Sequence, residues 1–233
     1  MRRMGVLGGI SAQATIDFEI RVHRCAQRLN PAPWSSGYPP MVSWYHRRPP
    51  ILIGDDERPV LPMQLDPQLL DAAAWLGQVS DFLVIPCNTA HIGLAAIRQA
   101  AGRPVVSMIE VTLDEIARRG CRRVGLLGFH APPPFYREPL VDRGVACEGI
   151  DAALQLRIDA GVRAVMEGRD GKAETEAVRE AVGTLRARGV DAVLLGCTEL
   201  PLLLADEAEA PDLVNPAALL AEAAVRFAMS DAG

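Results

Sequence analysis

Two cysteines stand in matched settings. Cys87 follows the apolar run DFLVIP (81–86) and precedes NTAHIGLAAIRQA (88–100), which reads as a helix. Cys197 follows DAVLLG (191–196) and precedes TELPLLLA, which reads as a short helix. Continuous apolar runs of this length suit central parallel strands covered on both faces. Ligands of open α/β sheets bind beyond the carboxyl ends of such strands, where both thiols fall. A helix N-terminus beside each favours negative charge, and so thiolate. If two halves of the chain face each other, the thiols oppose one another across a cleft. One can then remove a proton from a carbon next to a carboxylate while the other returns a proton to the opposite face. That sequence inverts configuration without a cofactor. Asn88, Thr89 and Thr198, with nearby backbone N–H groups, can hold the carboxylate. Glu199 can bind an ammonium or balance the proton of a thiol. Cys25, Cys121 and Cys147 lack these settings and read as structural.

The elements needed to place those residues are legible around them. MGVLG (4–8) reads as a strand, and Ser11 caps a helix over 12–29. MVSWY (41–45) is a strand, and 46–65, with several prolines, is a long loop. Asp66 followed by Pro67 starts the next helix. PVVSMI (104–109) reads as a strand, VTLDEIARR (111–119) as a helix ended by Gly120, and RRVGLLG (122–128) as a strand before the turn HAPPP. The pattern is weaker over 135–170. KAETEAVREAVGTLRAR (172–188) and NPAALLAEAAVRFAM (215–229) are helical. Alternating strands and helices indicate an α/β protein with parallel sheets. RRMGVLGG (2–9) is echoed by RRVGLLGF (122–129), and SDFLVIPCNTA (80–90) by VDAVLLGCTEL (190–200), in the same order. The echo implies a duplicated α/β unit. The expected domains are 1–102 with 213–233, carrying Cys87, and 103–212, carrying Cys197.

Composition narrows the chemistry. With 49% hydrophobic and 23% charged residues, the chain is ordinary for a globular protein. A net charge of −5 gives no electrostatic footprint for nucleic acid. No apolar run approaches a membrane span or a secretory core, so the expected location is the cytoplasm, with no membrane partner. Five cysteines without a C-x-x-C pair fit reduced thiols rather than a disulfide frame or zinc site. Lys172 is the single lysine among 24 basic residues, and its polar setting does not suit a Schiff base with pyridoxal phosphate. Gly5, Gly8 and Gly9 depart from the G-x-G-x-x-G dinucleotide spacing and read instead as room for a small acid. His91, one helical turn after Cys87, could form a Cys–His pair, but no third orienting group is evident; a supporting or surface place is expected. His130 lines the cleft or caps a turn.

PCNTAH (86–91), GCTELP (196–201) and the opening GVLGG (5–9) resemble the aspartate/glutamate racemase family. The resemblance spans nearly the whole chain. It implies two similar doubly wound parallel-sheet domains with the site between them. It also implies cofactor-independent racemisation, usually of an acidic amino acid, with Cys87 and Cys197 as the acid/base residues and no metal. Family members are often dimers, which implies a homodimer acting on a small amino acid or related carboxylate. The first loop, Gly9, Ile10 and Ser11, is expected at the substrate, and Arg47 and Arg48 resemble the family's anion-binding arginine. Asp159 stands where aspartate-type members carry a lysine, and an anion would be repelled there unless Arg157 or Arg163 compensates. Maleate isomerases, hydantoin racemases and arylmalonate decarboxylases resemble this fold too, the decarboxylases typically with one active cysteine. A non-catalytic small-acid-binding protein on the same scaffold is the alternative from another class.

Overall fold

The computed structural model describes residues 1–55, 59–130, 133–169 and 172–230. Parts of the expected loop 46–65 and of the turn at 130–134 lie outside them. In chain order the elements are β1 (Met4–Gly8), α1 (Ala12–Leu29), β2 (Met41–Tyr45), α2 (Pro67–Val79), β3 (Phe82–Val84), α3 (Leu94–Ala101), β4 (Val105–Val106) and α4 (Met108–Arg118). There follow β5 (Arg123–Leu127), α5 (Pro134–Asp142), β6 (Ala146–Glu148), α6 (Ala152–Met166), α7 (Lys172–Ala187), β7 (Ala192–Leu195), α8 (Leu200–Leu204), β8 (Leu213–Val214) and α9 (Pro216–Met229). Two compact units result, Met1–Met108 with Ala217–Gly233, and Ile109–Pro216. Each holds one four-stranded, wholly parallel sheet. The orders are β2-β1-β3-β4 and β6-β5-β7-β8, so the same winding occurs twice. Among the described residues no helix is long and apolar enough to cross a membrane.

Strand periodicity divides the first unit's core. Side chains alternate between the faces of a strand. Met4, Val6, Phe82 and Val84 therefore join Phe18 and Val22 of α1 and Leu220, Ala224 and Val225 of α9. Leu7, Leu83 and Ile85 point the other way, onto Leu69, Ala73 and Leu76 of α2 and Ile97 of α3. In the second unit Leu127, Val193 and Leu195 pack with Ile158 and Val162 of α6, Val178 and Leu185 of α7, and Leu203 of α8. The repeated arginines and aspartates of the sequence echo have a shared task. The Arg3 N–H donates to Asp81 Oδ2 at 2.6 Å, while those of Arg122 and Arg123 donate to Asp191 Oδ2 at 2.7 and 2.8 Å. Each aspartate thus satisfies backbone donors at the entry of the neighbouring strand.

Three local expectations change. The helix expected over 88–100 is a 3-10 segment (Thr89–Gly93) followed by α3. Gly93 is where they join, and a Cβ there would meet Leu65 Cδ1 at 2.2 Å. The strand expected over 104–109 is only Val105–Val106, because Met108 already begins α4. The weakly patterned stretch 135–170 contains α5, β6 and α6. Pro139 inside α5 interrupts its periodicity.

Candidate active site

The first unit brings its expected residues to one end of adjacent strands. Gly9, Ile10 and Ser11 follow β1, Arg47 and Arg48 follow β2, and Cys87, Asn88 and Thr89 follow β3. The β1 loop is tightly held. Gly9 adopts φ 69°, and a Cβ on it would meet Tyr45 Cα at 2.3 Å, so only glycine lets the two strand ends approach. Its N–H donates to Thr15 Oγ1 at 2.8 Å, and that hydroxyl donates to the Ser11 carbonyl at 2.9 Å. The Arg47 N–H donates to the Gly9 carbonyl at 2.9 Å. Gly9 therefore serves this internal approach. Ser11 caps α1, accepting from the Ala14 N–H at 3.5 Å.

The two arginines part company. Arg48 Nε lies 2.9 Å from Asp66 Oδ2, and His46 Nε2 lies 3.3 Å from the same oxygen. Asp66 also accepts the Gln68 N–H at 3.1 Å as the cap of α2. Arg48 is thereby engaged in joining the long loop to α2. The guanidinium of Arg47 lies over the Tyr45 ring, 4.7 Å from its centroid, and the residue is exposed. Of the pair, Arg47 is the one suited to an anion.

Cys87 owes its position to Pro86. Phe82 to Pro86 are all buried, Cys87 is half-buried, and Asn88 is buried again. The Cys87 N–H donates to the Ile85 carbonyl at 2.8 Å, a three-residue turn whose central φ suits proline. The turn lifts the thiol-bearing residue off the strand. His91 holds it from below. One ring nitrogen, Nδ1, meets the Cys87 carbonyl at 2.9 Å, and the other, Nε2, accepts the Met108 N–H at 3.0 Å. Because Nε2 accepts, the proton sits on Nδ1 and the ring is neutral. Both nitrogens contact main chain, so His91 is not arranged as the base of a Cys–His pair.

The second unit repeats the burial pattern with different chemistry. Ala192 to Gly196 are buried, Cys197 is half-buried, and Thr198 is buried. Cys197 Sγ donates to Glu199 Oε2 at 2.9 Å, and Thr198 Oγ1 donates to the same oxygen at 3.1 Å. Glu199 is only 4% exposed. A buried carboxylate in contact with a thiol is a local proton acceptor, and the threonine fixes its orientation. The helix after Cys197 has five residues and the segment after Cys87 is 3-10, so macrodipoles contribute less here than the sequence suggested.

All five cysteines are free. Burial pushes the thiols of Cys25, Cys121 and Cys147 up from their ordinary value, which suits a structural place. Sequence reasoning missed the His91 contacts and, in the second unit, the contact between buried Asp159 and exposed His130. Asp159 accepts the His130 N–H at 2.8 Å. Its distance along the chain left no local pattern.

The comparisons agree with this architecture. The broad specificity amino-acid racemase RacX of Bacillus subtilis (strain 168) is 23% identical over 226 residues, covering 95% of this chain and 96% of that one. An aspartate racemase from Picrophilus torridus has the same fold, with TM-score 0.79, 21% identity, and coverage of 98% of this chain and 94% of that one. So does an aspartate racemase homologue from Pyrococcus horikoshii OT3, with TM-score 0.76, 21% identity, and coverage of 99% and 100%. Matched by the family model over residues 7–224, the chain belongs to the Asp/Glu/Hydantoin racemase family.

Proposed function

We propose that this protein is a cofactor-independent amino-acid racemase acting on aspartate, glutamate or a related amino acid, with Cys87 and Cys197 as its two acid/base residues. The observation that carries the reading is the repeated placement of a half-buried cysteine just beyond an otherwise buried strand, once in each unit. One thiolate takes the α-proton, so an S–H bond forms as the C–H bond breaks. The other thiol delivers its proton to the opposite face, so a C–H bond forms as that S–H bond breaks. The enzyme is left with the two protonation states exchanged. Glu199 takes or returns the proton of Cys197 between turnovers. Arg47, Asn88 and Thr89, with the main-chain N–H of Thr198, hold the substrate carboxylate, which spreads the developing negative charge.

Proton NMR in deuterated buffer, paired with chiral chromatography, tests the activity on a panel of amino acids. The reading expects loss of the α-proton signal together with appearance of the opposite enantiomer. Loss without inversion, or no loss on any amino acid with thiols reduced, would overturn it.

A further inference from the structure

We infer that His91 is a positioning residue: it braces the main chain of Cys87 against the start of α4 and so fixes where the Cys87 thiol stands, in a way that the Cys197 half does without. The inference rests on the racemase reading above and deepens it.

The brace depends on the 3-10 segment after Cys87. In an α-helix the main-chain N–H of residue 91 would donate to the carbonyl four residues back, that of Cys87. Here the His91 N–H donates to the Asn88 carbonyl at 3.1 Å, three residues back. The imidazole meets the Cys87 carbonyl instead, Nδ1 to oxygen at 2.9 Å. The other edge of the ring reaches the end of the neighbouring strand. Strands β3 and β4 are paired, with Val84 beside Val106. Cys87 lies just beyond the first and Met108 just beyond the second, and the Met108 N–H donates to Nε2 at 3.0 Å.

The two bonds require one form of the ring. A main-chain N–H only donates, so Nε2 accepts, and Nδ1 carries its proton to the Cys87 carbonyl. Both partners are main-chain groups, which move only with their elements. The residue that carries the thiol is thereby held to the first residue of α4 rather than to a mobile side chain. His91 and Met108 are buried. Losing either bond strips a main-chain group of this partner away from water, a cost that keeps the ring in place.

The second unit shows that the fold alone does not call for this brace. Leu194 pairs with Val214 as Val84 pairs with Val106, and Cys197 follows Leu194 at the spacing by which Cys87 follows Val84. In that register Pro201 stands where His91 does, and Pro216 where Met108 does. Proline has no N–H, and its ring offers neither a donor nor an acceptor. Both ends of the brace are thus replaced together, and the same winding closes without them. There the Cys197 carbonyl accepts the Leu200 N–H at 3.2 Å, and the thiol itself meets Glu199. One cysteine is set through a partner of its side chain, the other through its main chain.

The test uses the full chain with its thiols reduced. His91→Gln sets an amide near the Nε2 position, which keeps an acceptor for the Met108 N–H and gives up the Cys87 carbonyl. His91→Asn sets an amide near the Nδ1 position and keeps the donor to Cys87. On the amino acid turned over in the panel above, the glutamine variant should lose about tenfold in kcat with KM nearly unchanged, because a slightly misplaced reacting group is costly. Iodoacetamide labelling read by peptide mass spectrometry should change in rate at Cys87 by about threefold or more, with Cys197 as the internal control. The asparagine variant should stay closer to the unaltered protein in both readouts. Unchanged kcat and labelling in the glutamine variant, or Cys87 and Cys197 shifting together in both variants, overturns this inference alone. If the unaltered protein racemises no amino acid, the racemase reading falls instead, and the ratio of Cys87 to Cys197 labelling still decides whether His91 sets the Cys87 thiol.

Discussion

A thiol can serve a carbon acid only where it reaches substrate while its surroundings stay dry enough to strengthen charge effects. Cys87 and Cys197 are each half-buried between buried neighbours, the setting that the proposed role requires. Their partners differ: the Cys87 carbonyl is tied to a neutral histidine, and the Cys197 thiol to a carboxylate. Glu199→Gln keeps the shape but removes the charged acceptor. Racemisation should fall by about a hundredfold, read as kcat from chiral chromatography, while far-UV circular dichroism stays unchanged. Undiminished kcat would remove Glu199 from the proton path. At this scale the strand-end placement of both cysteines was legible from their repeated contexts, and the Cys197–Glu199 contact from their closeness in sequence. His91 was only half legible, since a four-residue spacing announces proximity to Cys87 but not that its other nitrogen accepts from Met108.

The segment 46–66 shows how one side chain can organise an element. Asp66 caps α2, pairs with Arg48 and faces the buried His46. The cap was visible as Asp66–Pro67, whereas its ties to His46 and Arg48 were not, because a proline-rich loop has no periodicity. Asp66→Ala should lose about 1–2 kcal/mol from the cap alone, measured by urea unfolding. Burial holds His46 below its ordinary pKa of 6.5, the largest influence, against the opposing pull of Asp66. The folded state then binds this proton less readily than the unfolded chain does. Its contribution is complete above the ordinary value and is lost as pH falls through the depressed one. Denaturation midpoints from about pH 8 to about pH 5 should fall on acidification, and His46→Gln should reduce that slope. An unchanged slope would assign the pH dependence to other groups. The 3-10 segment after Cys87 was hidden for a related reason: Gly93 looks like a tolerated helix glycine until Leu65 is found against it.

Two units with one strand order explain why the sequence echo was readable at all. Corresponding strands carry the same tasks, down to the aspartates that satisfy the arginine N–H groups. The units differ in continuity. Ile109–Pro216 is one stretch with its own sheet and core, whereas the first unit needs α9 from the far end of the chain. A fragment spanning 109–216 should therefore unfold cooperatively by circular dichroism yet lack racemase activity, because it retains Cys197 without Cys87. A fragment without a cooperative transition would show that this unit depends on the rest of the chain. The central claim concerns the whole molecule: two thiols act on one carbon. Its most direct test is early-time racemisation of a protiated amino acid in deuterated buffer, with each enantiomer separated and its deuterium content measured. Two single-proton bases predict deuterium in the product enantiomer and protium retained in the recovered substrate. Deuterium appearing equally in both enantiomers from the outset would contradict the account.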